Sequence, residues 1–219
     1  PLTSVCIPEP GVLNMQCTKQ EYPVYGTGDY RSPAFTVKQE SGSKVINFAY
    51  VSHEMYHGKK AITPLPAVYT NSDEEACTLE LHLHDQMMHT DLVLTYTIFE
   101  EYPVITRHAA VCHKGEEPIT LEKVMSMSVE FQDMDFEMVQ LSGAWARERY
   151  VKERKLEMGI QAIQGINGTG CGAEHNPFLA LKRPDATEQQ GEVYGFSLVY
   201  SGNFLAQTEV STFDMTRVM

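Results

Sequence analysis

Apolar and polar residues alternate with a period of two along much of the chain. In Thr78–His84 the side chains of Leu79, Leu81 and Leu83 share one face, and Asp91–Phe99 repeats the pattern. Successive side chains of a strand point to opposite faces, so both runs predict strands, joined as a hairpin through a short polar segment. The same reasoning predicts strands at Lys44–Ser52, Val104–Cys112, Ile119–Phe131, Phe136–Leu141, Val193–Tyr200 and Leu205–Val210.

Helical periodicity is scarce. The best candidate is Ala144–Leu156, whose charges fit a solvated helix or an exposed edge strand equally well. Ile160–Pro177 is rich in glycine and predicts a long loop. Many strands separated by turns, without βαβ alternation, indicate an all-β fold of large antiparallel sheets with few short helices. We expect a single domain over residues 1–219.

Composition narrows the possible partners and the compartment. The formal net charge of −12 disfavours binding to nucleic acid and to anionic membranes, but leaves neutral ligands such as sugars open. The five widely spaced cysteines contain no CxxC pair, which suits a reducing compartment better than a disulfide framework. Residues 1–10 carry no basic stretch typical of a signal peptide, and we therefore expect a cytoplasmic location.

Two patterns resemble metal sites. His53–His57 reads HExxH, a zinc protease signature that requires a helix to bring its histidines together. Here the motif follows a strand-like run, and histidines four apart on a strand lie about 13 Å from each other. The second pattern is a possible metal cluster of His82, His84 and His89, which polar residues on the solvent-exposed face of a hairpin explain as well. We expect neither a metal nor another cofactor.

Catalytic groups are also weakly indicated. Adjacent carboxylates at Asp73–Glu75, Glu100–Glu101 and Glu116–Glu117 lie beside predicted turns and fit a solvated surface better than an acid–nucleophile pair. Cys171 with His175 could form a thiol nucleophile, although a free thiol in a loop is the commoner case. We therefore assign no catalytic residue.

Two segments carry chemistry that is unusual for a core. Gly28–Pro33 joins Asp29 and Arg31 around a tyrosine, and Ser142–Arg149 holds the single tryptophan, Trp145. An aromatic face with bidentate polar groups could line a carbohydrate site. Since tryptophan and arginine are enriched at interfaces, a domain or subunit interface is the favoured alternative.

Several blocks resemble one family in the same order along the chain. They are GDYRSPAF (28–35), SHEMYHGK (52–59), LPAVY (65–69), EYPVITR (101–107), SGAWARER (142–149), HNPFLAL (175–181) and EVYGFSLVYSGNFLAQ (192–207). Together they look like the N-terminal domain of bacterial family 36 α-galactosidases. The resemblance implies a β-supersandwich that packs on a (β/α)8 barrel and takes part in a homo-oligomer.

The resemblance also implies an activity for the parent enzyme. This is retaining hydrolysis of terminal α-galactosides such as melibiose and raffinose, with both catalytic aspartates in a barrel beyond Met219. The fragment itself would support the barrel and subunit assembly. We expect Asp29, Arg31, Trp145, Arg147 and His175 to lie at an interface or at the substrate rim. The alternatives are an autonomous sugar-binding module and a zinc enzyme.

Overall fold

The computed structural model describes residues 17–168, 172–200 and 202–219, and these are nearly all β. They divide into two compact units, a first unit of residues 17–128 and a second unit of residues 129–219. All paired strands in both units run antiparallel. The all-β expectation is thereby confirmed, whereas the single domain stays a prediction.

The first unit holds a four-stranded sheet and a two-stranded sheet. The strands are β1 (Phe35–Lys38), β2 (Ala49–His57), β3 (Ala76–Asp85), β4 (Thr90–Phe99), β5 (Ile105–His113) and β6 (Thr120–Val124). The larger sheet has the order β2-β3-β4-β5, and β1 pairs with β6. A 3-10 turn, Asp73–Glu75, precedes β3. The predicted β3–β4 hairpin is confirmed, with Asp85 paired to Thr90 at its end.

Apolar side chains from both sheets form the core of the first unit. Phe35 and Val37 of β1 are fully buried and cluster with Val24, Ile46 and Met88. The ring of Phe35 packs edge-on against Phe48, with centroids 5.4 Å apart. Burial of these side chains is the main favourable contribution to folding of the unit.

The second unit holds two four-stranded sheets. The strands are β7 (Val129–Phe131), β8 (Glu137–Ala144), β9 (Arg147–Lys155), β10 (Gly159–Gly165), β11 (His175–Lys182), β12 (Val193–Ser197), β13 (Phe204–Val210) and β14 (Thr216–Val218). One sheet has the order β10-β13-β14-β7 and the other β12-β11-β8-β9. Aromatic rings connect the two sheets, because Phe131 of β7 lies 4.9 Å from Tyr194 of β12 and 5.0 Å from buried Phe136.

The structure changes two expectations and decides between the two alternatives for a third segment. Ile119–Phe131 is not one strand, because β6 and β7 pair in different sheets on either side of residues 125–128. For Ala144–Leu156, the edge-strand alternative is correct, because β9 forms the exposed edge of its sheet. Half of Ile160–Pro177 is strand and not loop, since β10 ends at Gly165 and β11 begins at His175.

The cysteines differ from the expectation of free thiols throughout. Cys77 and Cys112 are free, but Cys17 is disulfide-bonded. Cys171, the possible nucleophile, lies outside the described residues. Among the described residues, no helix is long and apolar enough to cross a membrane.

Candidate functional site

A tight hairpin presents the single tryptophan at one end of a sheet in the second unit. Strands β8 and β9 are joined through Trp145 and Ala146, and Ala144 pairs with Arg147. Ala146 has φ = 62°, and its amide donates to the carboxylate of Glu148 at 2.9 Å. The Trp145 side chain is 88% exposed. So large an exposed aromatic surface is typical of a contact residue for a partner or a ligand.

The hairpin depends on glycine at position 143. The register shifts between Ser142 and Ala144, and a Cβ on Gly143 would lie only 2.2 Å from the Arg147 carbonyl oxygen. No larger residue fits this close approach of two backbones without a shift of the strand. Gly143 therefore sets the position of the Trp145 turn.

His175 lies at the same end of this sheet. It pairs with Ser142 across β11 and β8, and its Nδ1 lies 2.9 Å from the Ser142 hydroxyl oxygen. Gln140 donates to that oxygen at 2.7 Å, so the hydroxyl proton of Ser142 is available to His175. This chain of hydrogen bonds fixes the His175 ring. Trp145, Arg147 and His175 are thus brought together at one end of the β12-β11-β8-β9 sheet.

Asp29 and Arg31 form a buried ion pair in the first unit. Arg31 donates from Nε and Nη2 to the two carboxylate oxygens of Asp29, each at 3.0 Å, and from its backbone amide at 3.0 Å. Nη2 also donates to the Thr18 carbonyl at 3.1 Å, and Gln20 donates to Asp29. The side chains of Asp29 and Arg31 are 1% and 2% exposed, so neither group faces the solvent.

The ion pair holds an exposed tyrosine between its two members. Tyr30 is 86% exposed, although its neighbours on both sides are buried. A bidentate pair of this kind fixes the backbone on both sides of the ring. Within the segment that the sequence singled out, the outward-facing group is Tyr30, and the buried pair of Asp29 and Arg31 positions it. In the sequence, the feature that could have predicted an exposed Tyr30 is its place between the oppositely charged Asp29 and Arg31.

The HExxH segment lies on a strand and not on a helix, and whereas the predicted strand ended at Ser52, β2 continues to His57. His53 and His57 belong to β2 and share one face, opposite to that of Glu54. His53 Nδ1 is 2.6 Å from the hydroxyl of Tyr50. Four residues of strand separate the histidines by about 13 Å, which two zinc–nitrogen bonds do not bridge.

An open groove of about 650 Å³ lies at the end of the larger sheet of the first unit. Its lining includes Tyr69 and Tyr102, both well exposed, together with carboxylates such as Glu74 and Glu100. Aromatic faces and hydrogen-bond acceptors are a combination that suits sugar rings and hydroxyls. From the sequence, Glu74 and Glu100 were expected only on a solvated surface.

An all-β domain that presents aromatic and arginine side chains on tight loops is typical of the accessory domains of carbohydrate-active enzymes. Residues 6–219 match the family described as glycosyl hydrolase family 36 N-terminal domain. The chain therefore belongs to that family, and it is the N-terminal domain of a family 36 protein.

Individual relatives agree with this assignment. The chain is 44% identical over 211 residues to alpha-galactosidase AgaA of Geobacillus stearothermophilus, covering 96% of this chain and 29% of that protein. It is 40% identical over 201 residues to a probable alpha-galactosidase C of Aspergillus flavus, covering 92% of this chain and 26% of that protein. The chain thus spans less than a third of the length of these relatives.

Solved structures show the same fold. The crystal structure of AgaA superimposes with a TM-score of 0.92 at 43% identity, covering 100% of this chain and 30% of that one. The alpha-galactosidase from Lactobacillus brevis gives a TM-score of 0.89 at 36% identity, covering 91% of this chain and 27% of that one. A variant of AgaA has been crystallised with raffinose.

Proposed function

We propose that this chain is the non-catalytic N-terminal domain of an α-galactosidase that hydrolyses terminal α-galactosides such as melibiose and raffinose. The observation that carries the proposal is the asymmetry of coverage: AgaA matches 96% of this chain, but this match spans only 29% of AgaA. In this proposal residues 1–219 form a single domain made of both units. The domain supports a C-terminal catalytic barrel and takes part in a homo-oligomer.

The environment of two neighbouring carboxylates in the first unit supports a non-catalytic role. Glu54 and Glu80 bring carboxylate oxygens within 4.8 Å, close to the separation that a retaining glycosidase uses. Such an enzyme needs one carboxyl that stays protonated as a general acid. Burial raises the pKa of Glu80, but hydrogen bonds from Tyr56 and Lys60 outweigh it and hold the pKa below the usual value. Glu80 is therefore ionised, and Glu54 is exposed to water, so neither carboxyl lies in the apolar pocket that keeps a general acid protonated.

The test compares the 219-residue chain with a longer chain that includes the segment that follows it. Both are assayed for release of nitrophenol from a nitrophenyl α-galactoside. We expect turnover only from the longer chain. Turnover by the purified 219-residue chain, with the same specific activity after further purification, would overturn the proposal.

Trp145, Arg147 and His175 belong to the same proposal as interface or substrate-rim residues, and Asp29 with Arg31 positions Tyr30 for the same purpose. In the longer chain we expect Trp145→Ala to raise KM or to dissociate the oligomer, since a tryptophan anchor contributes about 2 kcal/mol or more, roughly 30-fold. Chromatography separates the two effects. Met158→Ala removes another exposed apolar side chain of the second unit and should change neither.

A second candidate function is an autonomous carbohydrate-binding module, and the groove beside Tyr69 and Tyr102 favours it. Calorimetry of the 219-residue chain with galactose and with raffinose tests it. Saturable binding that is lost in Tyr102→Ala supports this candidate, and the absence of binding heat eliminates it.

A cytoplasmic location also remains a proposal, and the cysteines provide its test. Cytosolic thiols are kept reduced, so Cys17 should be alkylated as a free thiol when cells are lysed directly into iodoacetamide. A protected Cys17 in that experiment would indicate an oxidising compartment.

A further inference from the structure

Two carboxylates lie directly opposite each other in the larger sheet of the first unit. Glu54 on β2 pairs with Glu80 on β3, so both side chains project from the same face. Like charges placed directly opposite in an antiparallel pair destabilise the sheet. A cation held between the two carboxylates would remove that repulsion.

An imidazole nitrogen without a partner adjoins this pair. His82 lies two residues after Glu80 on β3 and therefore shares its face. Its Nε2 is buried and has no hydrogen-bond partner among the described residues. The nearest carboxylate oxygen, Oε2 of Glu80, is 3.9 Å away, which is too long for a hydrogen bond. A buried polar atom without a protein partner is unusual, and a bound water or ion is one explanation.

The three groups have the spacing of a metal site. One ligand atom from each of Glu54, Glu80 and His82 lies within 4.8 Å of the other two. With metal–ligand bonds of about 2.1 Å, two ligand atoms of one ion lie roughly 3.4 to 4.2 Å apart. The 3.9 Å between His82 and Glu80 already falls in this range. Glu54 is exposed, so a small rotation of its side chain completes the set.

Neighbouring side chains orient Glu80 for this role. The hydroxyl of Tyr56 donates to Oε1 of Glu80 at 2.6 Å, and Lys60 Nζ donates to the same oxygen at 3.1 Å. Oε2 is left facing His82. Ligating carboxylates in metal sites are commonly fixed by such outer hydrogen bonds. The Lys60 ammonium partly offsets the negative charge, but it is mostly exposed to water, which screens it.

We propose that Glu54, Glu80 and His82 bind a divalent transition-metal ion of the zinc type. One imidazole nitrogen and two carboxylate oxygens suit Zn²⁺, and water completes the coordination. The ion ties β2, which is the edge strand of its sheet, to β3. The site differs from the HExxH pattern, because His53 and His57 lie on the other face of β2. The site departs from the expectation of no metal, because Glu54 and Glu80 are 26 positions apart and only the pairing of β2 with β3 brings them together.

The test is metal binding by the 219-residue chain, purified without a histidine tag and treated with chelator. Isothermal titration with ZnCl₂ should give one site per chain. Glu54→Gln and His82→Gln should each weaken binding at least about tenfold, since even the loss of an outer-shell partner commonly costs 10–100-fold. His53→Gln, a substitution on the opposite face of the same strand, is the matched control and should bind as the parent does.

A second measurement separates loss of the site from loss of the fold. At the same Zn²⁺ concentration, the rise in Tm should be larger for the parent and for His53→Gln than for Glu54→Gln, while the Tm without metal establishes that each variant is folded. The absence of stoichiometric binding by the parent would overturn the proposal. Binding that persists in both Glu54→Gln and His82→Gln would also overturn it, because the ion would then lie elsewhere.

Discussion

Replacing Arg217 with methionine should be among the most damaging single substitutions in the second unit. Arg217 is the central residue of β14 and pairs with Glu130 of the neighbouring strand β7. Its Nε and Nη2 donate to Oε1 of Glu130 at 2.9 and 2.6 Å. The two side chains are 0% and 2% exposed, so water cannot replace either partner.

The expected cost follows from this burial. Removing one member of a buried ion pair typically costs 3–5 kcal/mol, because the remaining charge loses its opposite charge where water does not reach it. Arg217→Met should therefore lower the free energy of unfolding by about 3–5 kcal/mol. Replacing both residues with methionine removes both charges of the pair. The double variant should lie within about 2 kcal/mol of the parent, since apolar replacement of a whole buried pair is often neutral.

Urea denaturation followed by intrinsic fluorescence measures these differences. With a slope of about 3 kcal/mol per molar, the single variant should unfold at a urea concentration about 1–2 M below the parent. Arg183→Met is the matched control, because Arg183 also pairs with a carboxylate, Asp133, but the carboxylate is about half exposed. We expect the control to cost about 1 kcal/mol.

Two outcomes would refute the reasoning. If Arg217→Met costs no more than Arg183→Met, burial does not determine the contribution of these arginines. If the double variant is as unstable as Arg217→Met alone, the lost stability comes from the packing of the arginine side chain and not from the Glu130 carboxylate that has lost Arg217.

Two further predictions concern acid stability and thiol chemistry. Hydrogen bonds from Arg183 hold the pKa of Asp133 below its usual value, so the pair stabilises the fold above pH of about 4 and that contribution is lost as the pH falls through the folded-state pKa. The stability difference between Arg183→Met and the parent, measured by urea denaturation, should therefore shrink between pH 5 and pH 2; a difference independent of pH would contradict the assigned cause. In air-oxidised protein, iodoacetamide should label exposed Cys112 but not Cys17 until a reductant is added, as read by peptide mass spectrometry; immediate labelling of Cys17 would show that its disulfide does not form.

The sequence predicted elements best where local pattern and pairing coincide. The leucines of Thr78–His84 alternate over seven residues, and β3 extends the predicted strand by only two residues before it and one after it. Ile119–Phe131 failed because an apolar run carries no information about its partners: β6 pairs with β1 and β7 with β14, far apart in the chain. Such pairings between distant segments are decided by tertiary structure.

The candidate sites could likewise be predicted only where their residues lie close together in the sequence. Trp145 and its glycine were visible in the sequence, because a lone tryptophan within a Ser-Gly-Ala segment is conspicuous. The pairing of Glu54 with Glu80 was not, because 26 positions separate them and a register shift between Tyr50 and Ser52 decides which residues face each other. A slip of one residue would place Glu54 beside a different neighbour on β3.

The ion pair of Asp29 and Arg31, which fixes the backbone on both sides of Tyr30, affects how strongly this loop would bind a partner. A loop that is ordered only on contact loses backbone freedom at that moment, at a cost of roughly 1–2 kcal/mol per residue. Asp29 and Arg31 fix the main chain on both sides of Tyr30 when the unit folds. In the interface role proposed for Tyr30, this backbone cost is not subtracted again from the affinity, and only the freedom of the side chain remains to be lost on binding.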